Sequence, residues 1–341
     1  MVQWNKRVRV TCIGVLVLAV ALRLGGSTLP AMSPEQKLQA ASVLLYLQTG
    51  SAPAKEEPVP RETAPLPLPE PTEPTTYVFP TLPEHRQPLT FEASQADSLE
   101  IKYGGDYRPD LGALLEAPVK LDFSGEEPRI LILHTHATES YTQEPGWEYT
   151  SSGNYRTLDE HYNMLRVGDA MADILNDAGI PTLHDRTLHD YPSYNSSYSR
   201  ALETIEGYLA QYPSIQMVID VHRDAIEDTS GNQLTTSTLV GGQPSARVML
   251  VMGTDEGGLE HPGWEDNLSW ALKLQARMDQ LYPGLARPLS LRTERFNQHA
   301  TPGSLLVEVG TAGDTLQNAL TAGEAFARTL AETILNMGLN R

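Results

Sequence analysis

Cysteine is almost missing from this chain: Cys12 is the only one in 341 residues. Everything after it has no disulfide to form and no thiol to oxidise, which is compatible with export. Basic residues are scarce too, with 25 Lys and Arg against 43 Asp and Glu. The deficit is uneven. The first thirty residues hold Lys6, Arg7, Arg9 and Arg23 and no acid, so the remainder of a chain of net charge −18 carries −22. A surface that acidic repels nucleic acid and anionic lipid, which argues against both as partners of the bulk. A long apolar run is also lacking. Val10 to Leu22 makes only about 20 Å of helix, against a hydrocarbon core of ~30 Å. Arg23 can snorkel and Leu24 to Met32 is uncharged, so a marginal membrane anchor is the first reading. A cleaved signal peptide is the second, since Ala19-Val20-Ala21 has the small-x-small form. On both readings the basic flank stays in the cytoplasm and the bulk goes outside.

Residues 1–30 thus read as the anchor or signal segment. Ser33-Pro34-Glu35-Gln36 opens a short helix within 31–50, with Ser33 as N-cap and Gln36 closing a capping box. Residues 51–95 read as a linker, because eleven of the chain's 25 prolines fall between Ser51 and Thr90. Such a stretch buries no core and extends by roughly 3 Å per residue where it is polyproline-like. Residues 96–127 form a lead-in, and 128–341 the globular domain. There, strand-like runs (129–134, 180–184, 215–221, 246–252, 289–293, 304–309) alternate with helical patterns (159–178, 198–212, 264–281, 315–337). The alternation predicts an α/β fold with a mostly parallel sheet of about six strands, ligands lying at the strands' carboxyl ends.

Three of these strands end in residues that bind metals. The first delivers His134, His136 and Glu139; the second Asp220, His222, Arg223 and Asp224; the third carries Glu308 inside an apolar run. Imidazoles and carboxylates meeting at a sheet rim match the needs of Zn²⁺: three protein ligands and an open position for water. Each piece has a plainer explanation. A lone His-x-His is more often incidental, and a histidine ending a buried strand is often only hydrogen-bonded. Glu308 is harder to dismiss, because an unpaired buried carboxylate is costly. Asp220, Arg223 and Asp224 read as orienting or pairing groups, and His184 and His189 as groups that support the ligands from behind or touch substrate.

The same residues resemble a known family. His134-Thr135-His136-Ala137-Thr138-Glu139-Ser140-Tyr141, Asp220-Val221-His222-Arg223-Asp224-Ala225 and Ser304-Leu305-Leu306-Val307-Glu308-Val309-Gly310 are similar to the blocks of the stage II sporulation protein P family. Asn163 with Val167-Gly168-Asp169, Pro192-Ser193-Tyr194-Asn195 with Ser197-Tyr198, and His261-Pro262, Trp264 and Asn267 also fit its pattern. The resemblance implies a three-layer fold like that of zinc-dependent N-acetylmuramoyl-L-alanine amidases. It also implies a peptidoglycan hydrolase of engulfment, both amidase and endopeptidase, in the space between mother cell and forespore. Its expected partners are a lytic transglycosylase (stage II sporulation protein D) and a membrane protein (stage II sporulation protein M). By resemblance His222 is a zinc ligand and Glu308 the catalytic glutamate. The first histidine is His136 or His134, with His136 preferred. The acidic ligand is Glu139, or else Asp159 or Glu160. Two other readings stand beside this one. An amidohydrolase-type barrel also starts with His-x-His but needs eight strand–helix units, and a wall-binding scaffold would have no use for the histidines and glutamates.

Overall fold

Uninterrupted apolar runs bounded by turns make strands that can be covered on both faces, and all six such runs pair into one sheet. The structure, a computed structural model, describes Phe79 and residues 87–340. The run Val10–Leu22, the helix opened at Ser33 and most of the proline-rich stretch lie outside the described residues. The strands are β2 (Ile130–Leu133), β3 (Thr182–His184), β4 (Met217–Asp224), β7 (Val248–Gly253), β8 (Leu289–Arg292) and β9 (Leu305–Thr311). A seventh, β1 (Ile101–Tyr103), adds to one edge, and the order is β1-β8-β7-β9-β4-β2-β3. The mostly parallel sheet of about six strands is thus seven-stranded; β1, the added strand, is only three residues long and has no buried position to mark it. All pairings are parallel except β7–β9, where two parallel blocks meet back to back. The sheet is open, with β1 and β3 as edges, which rules out a closed barrel. A small hairpin, β5 (Thr238–Val240) and β6 (Gln243–Ser245), turns through Gly241 and Gly242, both with positive φ as tight hairpin turns require.

The helices are α1 (Leu111–Glu116), α2 (Met164–Asp177), α3 (Ser197–Gln211), α4 (Trp264–Leu281) and α5 (Leu316–Met337). The helix expected from Asp159 starts later, because the Asn163 side chain accepts from Leu165 N–H and caps α2 there. Residues 87–127, ahead of 128–341, supply β1, α1 and the buried side chains Phe91, Leu99, Leu115, Leu121 and Phe123, all part of the main core. Among the described residues no helix is long and apolar enough to cross a membrane.

Side chains along a strand alternate between faces. Ile130, Ile132, Met217, Ile219, Val221, Val307 and Val309 point into the core built with α2, α4 and α5. Leu131, Leu133 and Val218 point the other way, onto Ala201 and Ile205 of α3. Continuing that second face gives Asp220 and His222 in β4 and Glu308 in β9. Thus the stripe facing α3 turns from apolar to polar toward the strand ends.

Helix α4 is buried along Asn267–Ala276. Its Asn267 amide donates to three backbone carbonyls, Gln298 (3.1 Å), Thr301 (3.1 Å) and Ser304 (2.9 Å), tying it to the segment before β9. Asn267→Ala removes all three bonds, Thr301 O keeping only Ser304 N–H, and is expected to cost about 2–4 kcal/mol, read from urea unfolding; a loss too small to measure would overturn this role. Lys273, also buried, donates to Leu114 O (2.8 Å) and Ser269 Oγ (2.9 Å). Burial lowers its pKa from 10.5 to about 8. Between these values the unfolded chain holds a proton that the folded one lacks, so stability rises with pH from about 8 to 10.5. Lys273→Met should remove that rise, which urea midpoints at pH 7.5 and 10 would reveal; parallel profiles for the two proteins would contradict it.

Candidate active site

In the parallel ladder of β4 and β9, His222 is paired with Glu308. Paired residues of a parallel ladder share a face, so imidazole and carboxylate stand side by side. Asp220, two residues back on the same face, accepts from Thr135 N (2.8 Å) and Thr135 Oγ1 (2.6 Å). Those bonds clamp the chain just after β2 to the end of β4. Burial would push the Asp220 carboxyl up, but His222 and Thr135 outweigh it and hold the pKa at about 2. Asp220 Oδ1 lies 2.9 Å from His222 Nε2, without hydrogen-bond alignment. Burial disfavours charge on His222, yet Asp220 and Glu139 raise its pKa well above the usual imidazole value. Glu308 behaves in the opposite way. Burial pushes its carboxyl up to about 8, and its Oε2 is enclosed with no hydrogen-bond partner.

The turn after β2 brings His136 and Glu139 to the same place. His136 packs edge-on to His222 with ring centres 5.2 Å apart, and Glu139 Oε2 is 3.7 Å from His222 Nδ1. Burial lowers the His136 pKa to about 4, although Glu139 opposes this. Two arginines hold Glu139: Arg156 Nη2 at 3.1 Å and Arg223 Nη1 at 3.6 Å from Oε1. Against strong desolvation, Arg223, His222 and His136 keep the Glu139 carboxyl ionised, at about 2. Arg156 also pairs with the buried Asp190 and lies over the Tyr194 ring. Tyr194 in turn stacks on His136 at 4.5 Å, and Tyr198 lies parallel to His222 at 6.4 Å. Among the described residues, Tyr155, Ser196 and Phe296 have positive φ without being glycine, and all three border this cluster. Tyr155 O accepts from Arg223, Ser196 precedes α3, and the Phe296 ring meets Tyr198 at 6.0 Å. Backbone strain of this kind gathers at functional sites.

His134 sits deeper. Its Nδ1 meets Val221 O at 2.8 Å and its Nε2 meets His184 Nε2 at 2.9 Å, so both ring nitrogens are occupied. His184 Nδ1 continues to Asp169 (2.9 Å). This pair fits only because position 168 is glycine: a Cβ there would stand 2.5 Å from His134 Nε2 and 2.4 Å from His184 Nε2. His189 bridges His134 O and Thr204 Oγ1, each at 2.9 Å. Asp224 pairs with Arg287 at 2.7 Å, and its charge adds to the rise of the Glu308 pKa. Asp159 and Glu160 engage His161 and Arg186 at the surface. The structure therefore gathers His136, Glu139, His222, Asp220, Arg223 and Glu308. It leaves His134, His184 and His189 as a buried layer behind them. Arg156 and Tyr198 complete the site without having been expected there. Arg156 stands in a polar stretch with no motif, while Tyr194 and Tyr198 were visible only as part of the family pattern.

Among the described residues, no three His, Cys, Asp or Glu side chains have donors drawn together as a bound metal requires. Glu139 is held by guanidinium groups and His222 leans on Asp220. The donor types nonetheless fit Zn²⁺, which takes imidazole and carboxylate. His136 Nδ1, His222 Nε2 and Glu308 Oε2 are all buried without a hydrogen-bond partner, so the polar capacity at this rim is only partly used.

A family model, Stage II sporulation protein P, matches residues 81–331. Stage II sporulation protein P of Bacillus subtilis (strain 168) is 25% identical over 221 residues, covering 61% of this chain and 52% of the relative. The chain thus spans about half the length of that curated relative. Similar solved structures include the apo N-acetylmuramyl-L-alanine amidase Ami1 of Mycobacterium abscessus, with 14% identity, TM-score 0.37, and coverage of 62% of this chain and 99% of that one. The amidase AmiC2 of Nostoc punctiforme gives 13%, 0.36, 62% and 97% for the same quantities. The family match takes in β1 through most of α5 and every residue of the cluster around His222 and Glu308, and the chain belongs to the stage II sporulation protein P family.

Proposed function

We propose that this protein is a peptidoglycan hydrolase of sporulation, cleaving amide bonds with a zinc ion held by His136, Glu139 and His222. The observation that carries the reading is the register of β4 on β9, which sets His222 beside a buried glutamate whose pKa is raised to about 8. Zinc bound there supplies polarisation of the amide carbonyl and a water acidified toward neutrality. The protein's own groups do the rest. Glu308, with its pKa near working pH, takes a proton at Oε2 and returns it to the departing amine nitrogen. Asp220, fixed by Thr135, orients the His222 ring. Arg156 and Arg223 keep Glu139 ionised and so able to bind a cation. Tyr194 and Tyr198 wall the histidines and limit water around them.

Family membership supports the wall polymer as substrate, with the muramoyl–alanine amide and stem-peptide cross-links as the bonds cut. The basic-flanked Val10–Leu22 run supports tethering at the membrane, with the catalytic unit in the space between mother cell and forespore. Stage II sporulation proteins D and M are the proposed partners there.

The test is zinc analysis together with muropeptide digestion by the full-length protein. His222→Ala should lose both zinc and activity, and retention of both would overturn the site. Glu308→Gln should keep zinc while slowing turnover by roughly 10²–10⁴-fold; full activity in this variant would remove Glu308 from the mechanism.

A further inference from the structure

Beside the reaction centre lies a cavity of about 450 Å³. Tyr198 forms its near wall and also lies against His222, so the cavity opens directly off the site. Leu202, Leu259 and Phe296 supply its apolar wall, with Ser199 and Thr293 beside them. Leu259 is 58% exposed, an apolar side chain left open to water. Phe296 is held at positive φ (52°) with its ring against Tyr198. Arg295 adds a guanidinium. Its Nη1 donates to Glu260 O at 3.0 Å, its Nε is buried with no partner, and no carboxylate lies within 4.0 Å of it among the described residues. Glu294, on the same wall, is held by Arg292 at 3.3 Å. In a chain of net charge −18 a guanidinium without a carboxylate partner beside an apolar hollow is unusual.

We infer that this cavity binds the peptide side of the scissile amide, an acidic peptide whose carboxylate pairs with Arg295. The inference rests on the hydrolase reading and extends it to substrate selection. The wall chemistry chooses between the two sides of the bond. Leu202, Leu259 and Phe296 give contact to alkyl side chains but few partners to sugar hydroxyls. The polar Asn297 is already committed, its Nδ2 donating to Tyr198 O at 2.9 Å. Among the described residues the Arg295 side chain makes one hydrogen bond, through Nη1, so its Nη2 is left to pair with a carboxylate. Overall repulsion between the acidic protein and an acidic peptide makes such a local contact necessary, because no long-range attraction brings the two together.

Calorimetry on full-length Glu308→Gln protein tests this without turnover. The probes are the free tetrapeptide stem from peptidoglycan and the same peptide with its carboxylates converted to methylamides. The free acid should bind about 10- to 100-fold more tightly, as a charge-assisted pair of this kind implies. Adding Arg295→Gln should abolish the preference. Leu259→Glu, at an exposed position that tolerates a charge, should weaken both peptides through the lost apolar contact, the acid by about tenfold more than the methylamide. A preference that survives Arg295→Gln, or equal binding of both peptides to the Arg295 protein, overturns the proposal. The two readings fail separately. If the cavity variants behave as expected but the native protein releases nothing from muropeptides, the hydrolase reading falls and the peptide site stands. If digestion is normal and Arg295→Gln changes neither KM nor binding, only the peptide site falls.

Discussion

Strands β4 and β9 lie side by side and run the same way, and nearly everything at the site follows from their register. A slip of one residue would turn His222 or Glu308 onto the opposite face, among Val221, Val307 and Val309, where no polar partner waits. The register is held on both sides: β2 pairs with β4, β7 pairs with β9, and Asn267 ties the approach to β9. The apolar side of the sheet, by far the more extensive, thereby sets the geometry of the polar side. Glu308 owes its raised pKa to the same arrangement, since the packing that aligns it also strips water from it.

Opposed charges then divide the labour between the two glutamates. Desolvation is the largest influence on Glu139 as on Glu308, but Arg223, His222 and His136 surround Glu139 and keep it ionised. Glu308 lacks such a guanidinium at bonding distance, so desolvation dominates there. One carboxylate can offer charge to a cation and the other can hold a proton, a pairing of roles that enzymes commonly achieve by environment alone.

Much of this was legible in the sequence, for reasons particular to each element. Ile130–Leu133 and Leu305–Val309 are runs that only a doubly covered strand explains, and a glutamate inside one of them signals a constraint beyond packing. The direction of β7 was not legible, because an apolar run reads alike in parallel and antiparallel ladders. The edge strand β1 and helix α1 were hidden by their brevity and partial exposure. The start of α2 was misplaced because Asp159 and Asn163 both look like caps, and only the turn geometry between them shows that Asn163 serves. Arg156 comes from a loop whose contribution depends wholly on tertiary folding, so no spacing could announce it. The layer of His134, His184 and His189 carries the opposite lesson: residue types that suit a metal can be wholly occupied by one another and by the backbone.

The edge position of β1 has a mechanical consequence. Tension arriving along the chain from its amino-terminal side meets the packing of Phe79 on Tyr282, then Gln87 and Leu89 N–H on Asn336, and later the three-residue ladder of β1 on β8. These contacts form a weak fuse at one margin of the sheet. The strands carrying Glu308 and His222 lie beyond β8 and β7, sheltered by two further ladders. A pull strong enough to peel β1 away would leave the register of β4 on β9 under no direct load.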